Sequence, residues 1–182
     1  VSTVSISSDA SNIAAGSWTS KTAYFIRESG TPKWIHNTLL RVLSVDLNQN
    51  GKFLVMGDDE FNLYLFNSSS NDTIASFKAL ERIRSVSITE NGQYFVAGGN
   101  DKKIRLFNNP YYQKPAPMIN KESEWSSNTH GALREVDISF DGSNIVSGTL
   151  DNGNIALYTI DSNTPVWNYT ANGKIETVAI SK

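Results

Sequence analysis

The chain has no cysteine among its 182 residues, so disulfides, thiolate metal sites and a cysteine nucleophile are excluded. It has only two histidines, His36 and His130, too far apart to fit a metal-ligand spacing, and both are expected in or near surface loops. No apolar run is long enough to span a bilayer, so membrane insertion is not expected. There is no block of like charges, and the formal net charge is -2, which argues against nucleic-acid binding through a basic surface. No segment holds a 3.6-residue apolar period between caps, so no helix is predicted. A Gly-rich phosphate loop, a nucleophile elbow and an HExxH motif are all missing, and nothing assembles a catalytic triad. No signal peptide is present, and the first residue is Val1, inside a strand pattern, which reads as a mature product or an excised piece.

What is present is a repeat. The stretch Val136-Asp137-Ile138-Ser139-Phe140-Asp141-Gly142-Ser143-Asn144-Ile145-Val146-Ser147-Gly148 is an alternating strand, an Asp-Gly turn and a second strand ending on glycine. Its pattern recurs from Val4 to Gly16, Val45 to Gly57 and Val86 to Gly98, and a further copy opens at Val178-Ala179-Ile180. The spacing is about 41 residues, with one step of about 50. An aromatic follows each glycine (Phe25, Phe66, Phe107, Tyr158), and then another large ring (Trp34, Phe77, Trp125, Trp167). Each unit therefore reads as four short antiparallel strands. Such a sheet cannot bury itself alone, so copies must stack face to face, and twisted four-stranded sheets favour a radial arrangement. The expected repeats run approximately over 1–40, 41–81, 82–131 and 132–173, with 174–182 beginning a fifth. Closing four units into one ring would set residues 1–7 and 175–181 in competition for one place, which points to part of a larger ring. The long step is an insertion around 109–117, rich in tyrosine and proline.

At these residues the sequence resembles the β-propeller repeats of the WD40 and quinoprotein-like (PQQ-repeat) families. Val136–Gly148 is similar to the first two strands of a WD40 repeat. Asn100-Asp101-Lys102-Lys103-Ile104-Arg105-Leu106-Phe107 is similar to its third strand with the preceding Asp. The Gly-His before the first strand and the closing Trp-Asp are missing. The stretch from Leu157 to Trp167, by contrast, resembles the quinoprotein-like signature, in which a Trp packs between blades. The resemblance implies an all-β propeller of four-stranded blades, and it is specific for fold rather than chemistry. Quinoprotein enzymes use a cysteine pair and carboxylates around their cofactor. Without cysteine, and with its Trp residues at blade-packing positions, this chain is expected to bind no cofactor.

The function expected is a non-enzymatic platform for protein or surface-ligand binding, with self-association as a way to complete the ring. The alternatives are part of a quinoprotein-like enzymatic propeller and a structural cell-surface repeat. Candidate partner-binding residues are Tyr111, Tyr112 and Lys114 in the insertion, Asp58, Asp59 and Glu60 in an acidic turn expected to face solvent, and His130 in a loop. Carboxylates in that turn are also of a type that binds Ca²⁺, though without a repeated ligand spacing. Asp46 and Asp137 share one repeat position near the axis and are expected to bond neighbouring turns. Asn67, Asn71 and Asn168 head glycosylation patterns, so cytoplasmic and extracellular locations are both compatible.

Overall fold

A computed structural model describes residues 1–112, 119–120 and 122–181. Among them are seventeen strands and no helix. The first blade orders as β1 (Thr3–Ile6), β2 (Asn12–Gly16), β3 (Lys21–Ile26) and β4 (Trp34–Asn37). The second holds β5 (Val42–Leu47), β6 (Phe53–Asp58), β7 (Asn62–Asn67) and β8 (Thr73–Lys78). The third comprises β9 (Ile83–Ile88), β10 (Tyr94–Gly99), β11 (Lys103–Asn108) and β13 (Trp125–Asn128). The fourth comprises β14 (Leu133–Ile138), β15 (Asn144–Thr149), β16 (Asn154–Thr159) and β17 (Trp167–Thr170). Every pairing inside these four blades is antiparallel.

The insertion does more than lengthen a loop. Its strand β12 (Ile119–Asn120) pairs in parallel with β8, opposite Ala75 and Ser76. The second sheet thus has five strands, and part of the third repeat covers the outer edge of the second blade.

Strand alternation explains how the blades stack. On β6, Leu54 and Met56 face the first blade and join Ala14, Tyr24 and Trp34. Phe53 and Val55 face the third blade and join Val86, Phe95 and Phe107. A residue period of two therefore puts apolar side chains on both faces of one strand. A third cluster joins Val96, Ile104 and Leu106 to Leu133, Ile145 and Tyr158 of the fourth blade. The outer-strand aromatics close these contacts: Trp34 Nε1 donates to the Ser68 carbonyl (3.0 Å) and Trp125 Nε1 to the Ile160 carbonyl (2.7 Å), each in the next blade. Phe77 meets Phe107 edge-on at 5.3 Å. Trp167, at the same position of the fourth blade, is 47% exposed. The expectation that all the tryptophans pack between blades therefore fails at Trp167, over whose face no blade of the described residues lies, and at Trp18, 67% exposed in the β2–β3 turn.

Residues 174–181 form no ladder. They lie against the fourth blade, with the Ile175 N–H on the Thr149 carbonyl of β15 (3.1 Å) and the Val178 and Ile180 N–H groups on Glu135 and Asp137 of β14 (3.0 Å each), in the place that each inner strand takes against the one before it.

The turn from first to second strand is built the same way four times. Asp9, Asn50, Asn91 and Asp141 each accept the backbone N–H two residues on, an Asx-turn. The next residue has positive φ: Gly51 (66°), Gly92 (76°) and Gly142 (76°), but Ala10 (56°) in the first blade. A Cβ in this region is strained. Ala10→Gly is expected to raise stability by roughly 0.5–1 kcal/mol, read as a higher urea midpoint at unchanged m-value. An unchanged or lower midpoint would count against the strain.

Candidate functional site

The inner strands bind one another through side chains that accept backbone N–H groups of the next blade. Leu47 N–H donates to Ser5 Oγ (3.1 Å), Ile88 N–H to Asp46 Oδ2 (3.0 Å) and Ile180 N–H to Asp137 Oδ2 (3.0 Å). A second row runs parallel to it: Val86 N–H to Ser44 Oγ (3.1 Å), Val136 N–H to Ser85 Oγ (3.1 Å) and Val178 N–H to Glu135 Oε2 (3.0 Å). Ser87 Oγ lies 2.8 Å from Asp137 Oδ1 and 3.3 Å from Asp46 Oδ2, between the two carboxylates. Burial pushes the Asp46 carboxyl up to about 6, with the Asp137 charge adding to the rise and hydrogen bonds from Ile88, Ser5 and Leu47 opposing it. These aspartates hold the axis together. A recess of about 210 Å³ beside them is lined by Gln49, Glu90, Phe140 and Ile180 among others.

The opposite end of the axis carries the reverse charge. A recess of about 370 Å³ is lined by Ser2, Trp18, Arg41, Leu43, Arg82, Arg84 and Arg134. Arg41 and Arg82 immediately precede β5 and β9, while Arg84 and Arg134 lie on β9 and β14. Arg41 donates to Asp59 Oδ2 through Nε (2.9 Å) and Nη2 (2.6 Å), and Arg82 Nε pairs with Asp59 Oδ1 at 2.6 Å. The Arg84 Nε–H donates to Asn100 Oδ1 (2.6 Å), and Arg134 Nε reaches the exposed Glu176 at 3.3 Å. Burial lowers the Arg84 pKa, and repulsion by Arg134 and Arg82 lowers it further. Trp18 (67% exposed) lines this recess, and the loops leading to Arg41 and Arg82 expose Leu39 (80%) and Leu80 (74%). Arg41 lies over the Trp18 ring at 5.7 Å.

The structure redistributes the residues singled out from sequence. Asp58 is fully buried, not solvent-facing: it accepts the N–H groups of Glu60 (3.0 Å) and Asn62 (2.8 Å) and the Asn62 side-chain amide (3.0 Å), so it shapes the β6–β7 turn. Asp59 is 6% exposed, clamped by the two arginines. The expectation of a solvated acidic turn is thus corrected, because backbone N–H groups bind Asp58 inside and two guanidiniums pair with Asp59. Glu60 gives its carbonyl to Lys78 Nζ (2.5 Å). His130 is exposed in the loop before β14, at the arginine end. His36 belongs to strand β4 rather than to a loop, and its ring meets Phe66 edge-on at 4.9 Å. Tyr111 packs against the apolar cluster between the second and third blades. With Tyr112 it lies beside the first-to-second-strand turns, since Asn109 Nδ2 donates to the Gly92 carbonyl (2.8 Å) and the Tyr111 N–H to Asn109 Oδ1 (2.8 Å). Lys114 lies outside the described residues. Among the described residues, no three His, Cys, Asp or Glu side chains gather as metal ligands.

Residues 70–108 match the family model "WD domain, G-beta repeat" of WD40 proteins. The match runs from the turn before β8 through β11, spanning the outer strand of the second blade and three strands of the third. No curated protein matches the sequence.

Asp46 gives the site a measurable pH signature. In the fold its carboxyl keeps a proton up to about pH 6, whereas the unfolded chain loses it above an ordinary value of 3.8. The unfolded state therefore binds fewer protons in that window, and the Asp46 contribution to stability is lost as pH rises through it. The loss is on the order of 3 kcal/mol. Urea titrations of wild type and Asp46→Asn from pH 4 to 7 should show the stability difference moving in favour of Asn by that order as pH rises. A pH-independent difference would refute the assignment.

Proposed function

Taking residues 70–108 as a WD40 repeat, we propose that the chain is a non-enzymatic scaffold that docks a protein partner on the arginine end of its axis. WD40 repeats generally mediate protein–protein interaction and scaffolding. The observation that carries the choice of face is the exposed Trp18 in one recess with Arg41, Arg82, Arg84 and Arg134, with Leu39 and Leu80 exposed two residues before Arg41 and Arg82. Trp and Arg dominate binding energy where an apolar contact excludes water around them. A rigid blade stack presents these side chains with little ordering cost. His130 and Glu60 lie on the same end and fall to its rim. Tyr111, being packed on the core, is less available, so the opposite face is the weaker candidate.

The expected partner is a protein segment with apolar side chains flanking acidic ones. A protein retained by immobilised wild-type chain is expected to lose at least about tenfold in affinity against Trp18→Ala/Leu80→Ala. The same partner should be indifferent to Tyr112→Ala. Equal affinity for the Trp18/Leu80 variant, folded to the same midpoint, would rule out this face.

A second reading rests on Trp167. Val166, Trp167 and Tyr169 are exposed on the fourth blade, as are Val4 and Ile6 on β1. They are the two halves of a contact that the chain makes internally three times, so the first blade of a second copy is the shape that fits the β17 face, with β1 or residues 174–181 giving up the inner position. Light scattering is expected to give about 40 kDa, twice the 20.1 kDa chain mass, falling to the monomer value in Trp167→Asp. A monomer at all concentrations would exclude self-association.

A further inference from the structure

We propose that the recess lined by Arg41, Arg82, Arg84 and Arg134 receives a phosphorylated side chain of the docked protein partner. The inference rests on the docking reading above and adds the chemistry at its centre. Four guanidiniums line the recess and no acid does. Asp59, clamped between Arg41 and Arg82, cancels one positive charge, and Glu176, reaching Arg134 from the surface, cancels a second. Four minus two leaves an excess of two positive charges. A phosphoryl group carries about -1.5 to -2 near neutral pH, whereas one carboxylate carries a single charge and would leave the site unbalanced.

Geometry agrees with the count. Arg84 has a neutral partner, Asn100, on its Nε, which leaves the rest of its guanidinium fork to meet oxygen acceptors in a bidentate manner. Arg41 is held over Trp18 and onto Asp59, so it is oriented before a ligand arrives. Burial and mutual repulsion weigh on Arg84, a cost that a bound dianion relieves. The recess volume, about 370 Å³, admits a phosphoryl group with its side chain, while Trp18, Leu39 and Leu80 take the flanking apolar residues. The four arginines converge on one mouth in a chain of net charge -2, unlike the continuous basic track that a polynucleotide follows.

The test uses the whole chain with a degenerate library of phosphoserine and phosphothreonine peptides, an unphosphorylated copy of the library, inorganic phosphate and a single-stranded DNA oligonucleotide. Wild type is expected to retain phosphorylated peptides at least about tenfold better than the unphosphorylated copy, with retention falling as salt rises. Arg134→Gln, whose side chain is partly exposed, and Arg84→Gln should each reduce that preference about tenfold at an unchanged unfolding midpoint. Equal retention of the two libraries, or a preference untouched by both substitutions, overturns the proposal. So does binding of free phosphate without peptide preference, or of the oligonucleotide above the peptides. If a partner that depends on Trp18 and Leu80 binds equally after phosphatase treatment, the phosphate assignment fails while the docking face stands. If phosphopeptides bind regardless of Trp18 and Leu80, the recess is an anion site and the docking face fails.

Discussion

The close approach of each inner strand to the glycine at or next to the end of the second strand of the preceding blade governs the rest of this structure. A Cβ at Gly57 would lie 2.4 Å from Ile83 Cγ2 and 3.2 Å from the Ile83 carbonyl oxygen. Equivalent atoms at Gly16, Gly98 and Gly148 would fall 2.5, 2.7 and 2.5 Å from Val42, Val136 and Ile175. These contacts let neighbouring blades interlock at the density of a protein interior. They bring inner strands close enough for Ser5, Asp46 and Asp137 to accept backbone N–H groups across the gap. The same contact recurs between Gly148 and residues 174–181, which is why that segment lies ordered against β14 without a ladder of its own.

The two ends of the axis follow from this spacing. Once inner strands are pinned side by side, residues at one repeat position converge on one level of the axis. Aspartates near the exit end hydrogen-bond the neighbouring strand, and arginines at the entry end accumulate with only two acids to offset them. The face proposed for docking is thus the one where the repeat is least symmetric in charge.

The fold was legible because its determinants are local and periodic. The Val-x-Ile strands, the Asx-turn residues at 9, 50, 91 and 141, and the terminal glycines recur at fixed offsets. Exceptions arose where long-range geometry decides. Nothing local says that β12 crosses to the edge of β8, or that Trp167 has no cover while Trp34 and Trp125 do. The arginine recess was missed because its members are scattered along the chain and the net charge is slightly negative. A signal was nevertheless present: Arg41 and Arg82 occupy one repeat position, Arg84 and Arg134 another, and stacked repeats bring equal positions together. Asp58-Asp59-Glu60 misled in the opposite way, since two carboxylates of an acidic cluster in sequence turned inward, Asp58 onto the turn's own N–H groups and Asp59 between two arginines.

If interlocking at the glycines is the constraint on which the blades, the axis and the arginine recess depend, filling one contact should disturb all of them. Equilibrium urea unfolding of Gly57→Ala tests this most directly, because the nearest obstacles include the Ile83 backbone and cannot simply rotate away. The account predicts a loss of about 2 kcal/mol or more, with faster amide exchange at Ile83 and Ile88 of the neighbouring blade. A loss below about 0.5 kcal/mol, within the range of ordinary surface substitutions, would show that the blades stack without this contact and would contradict it.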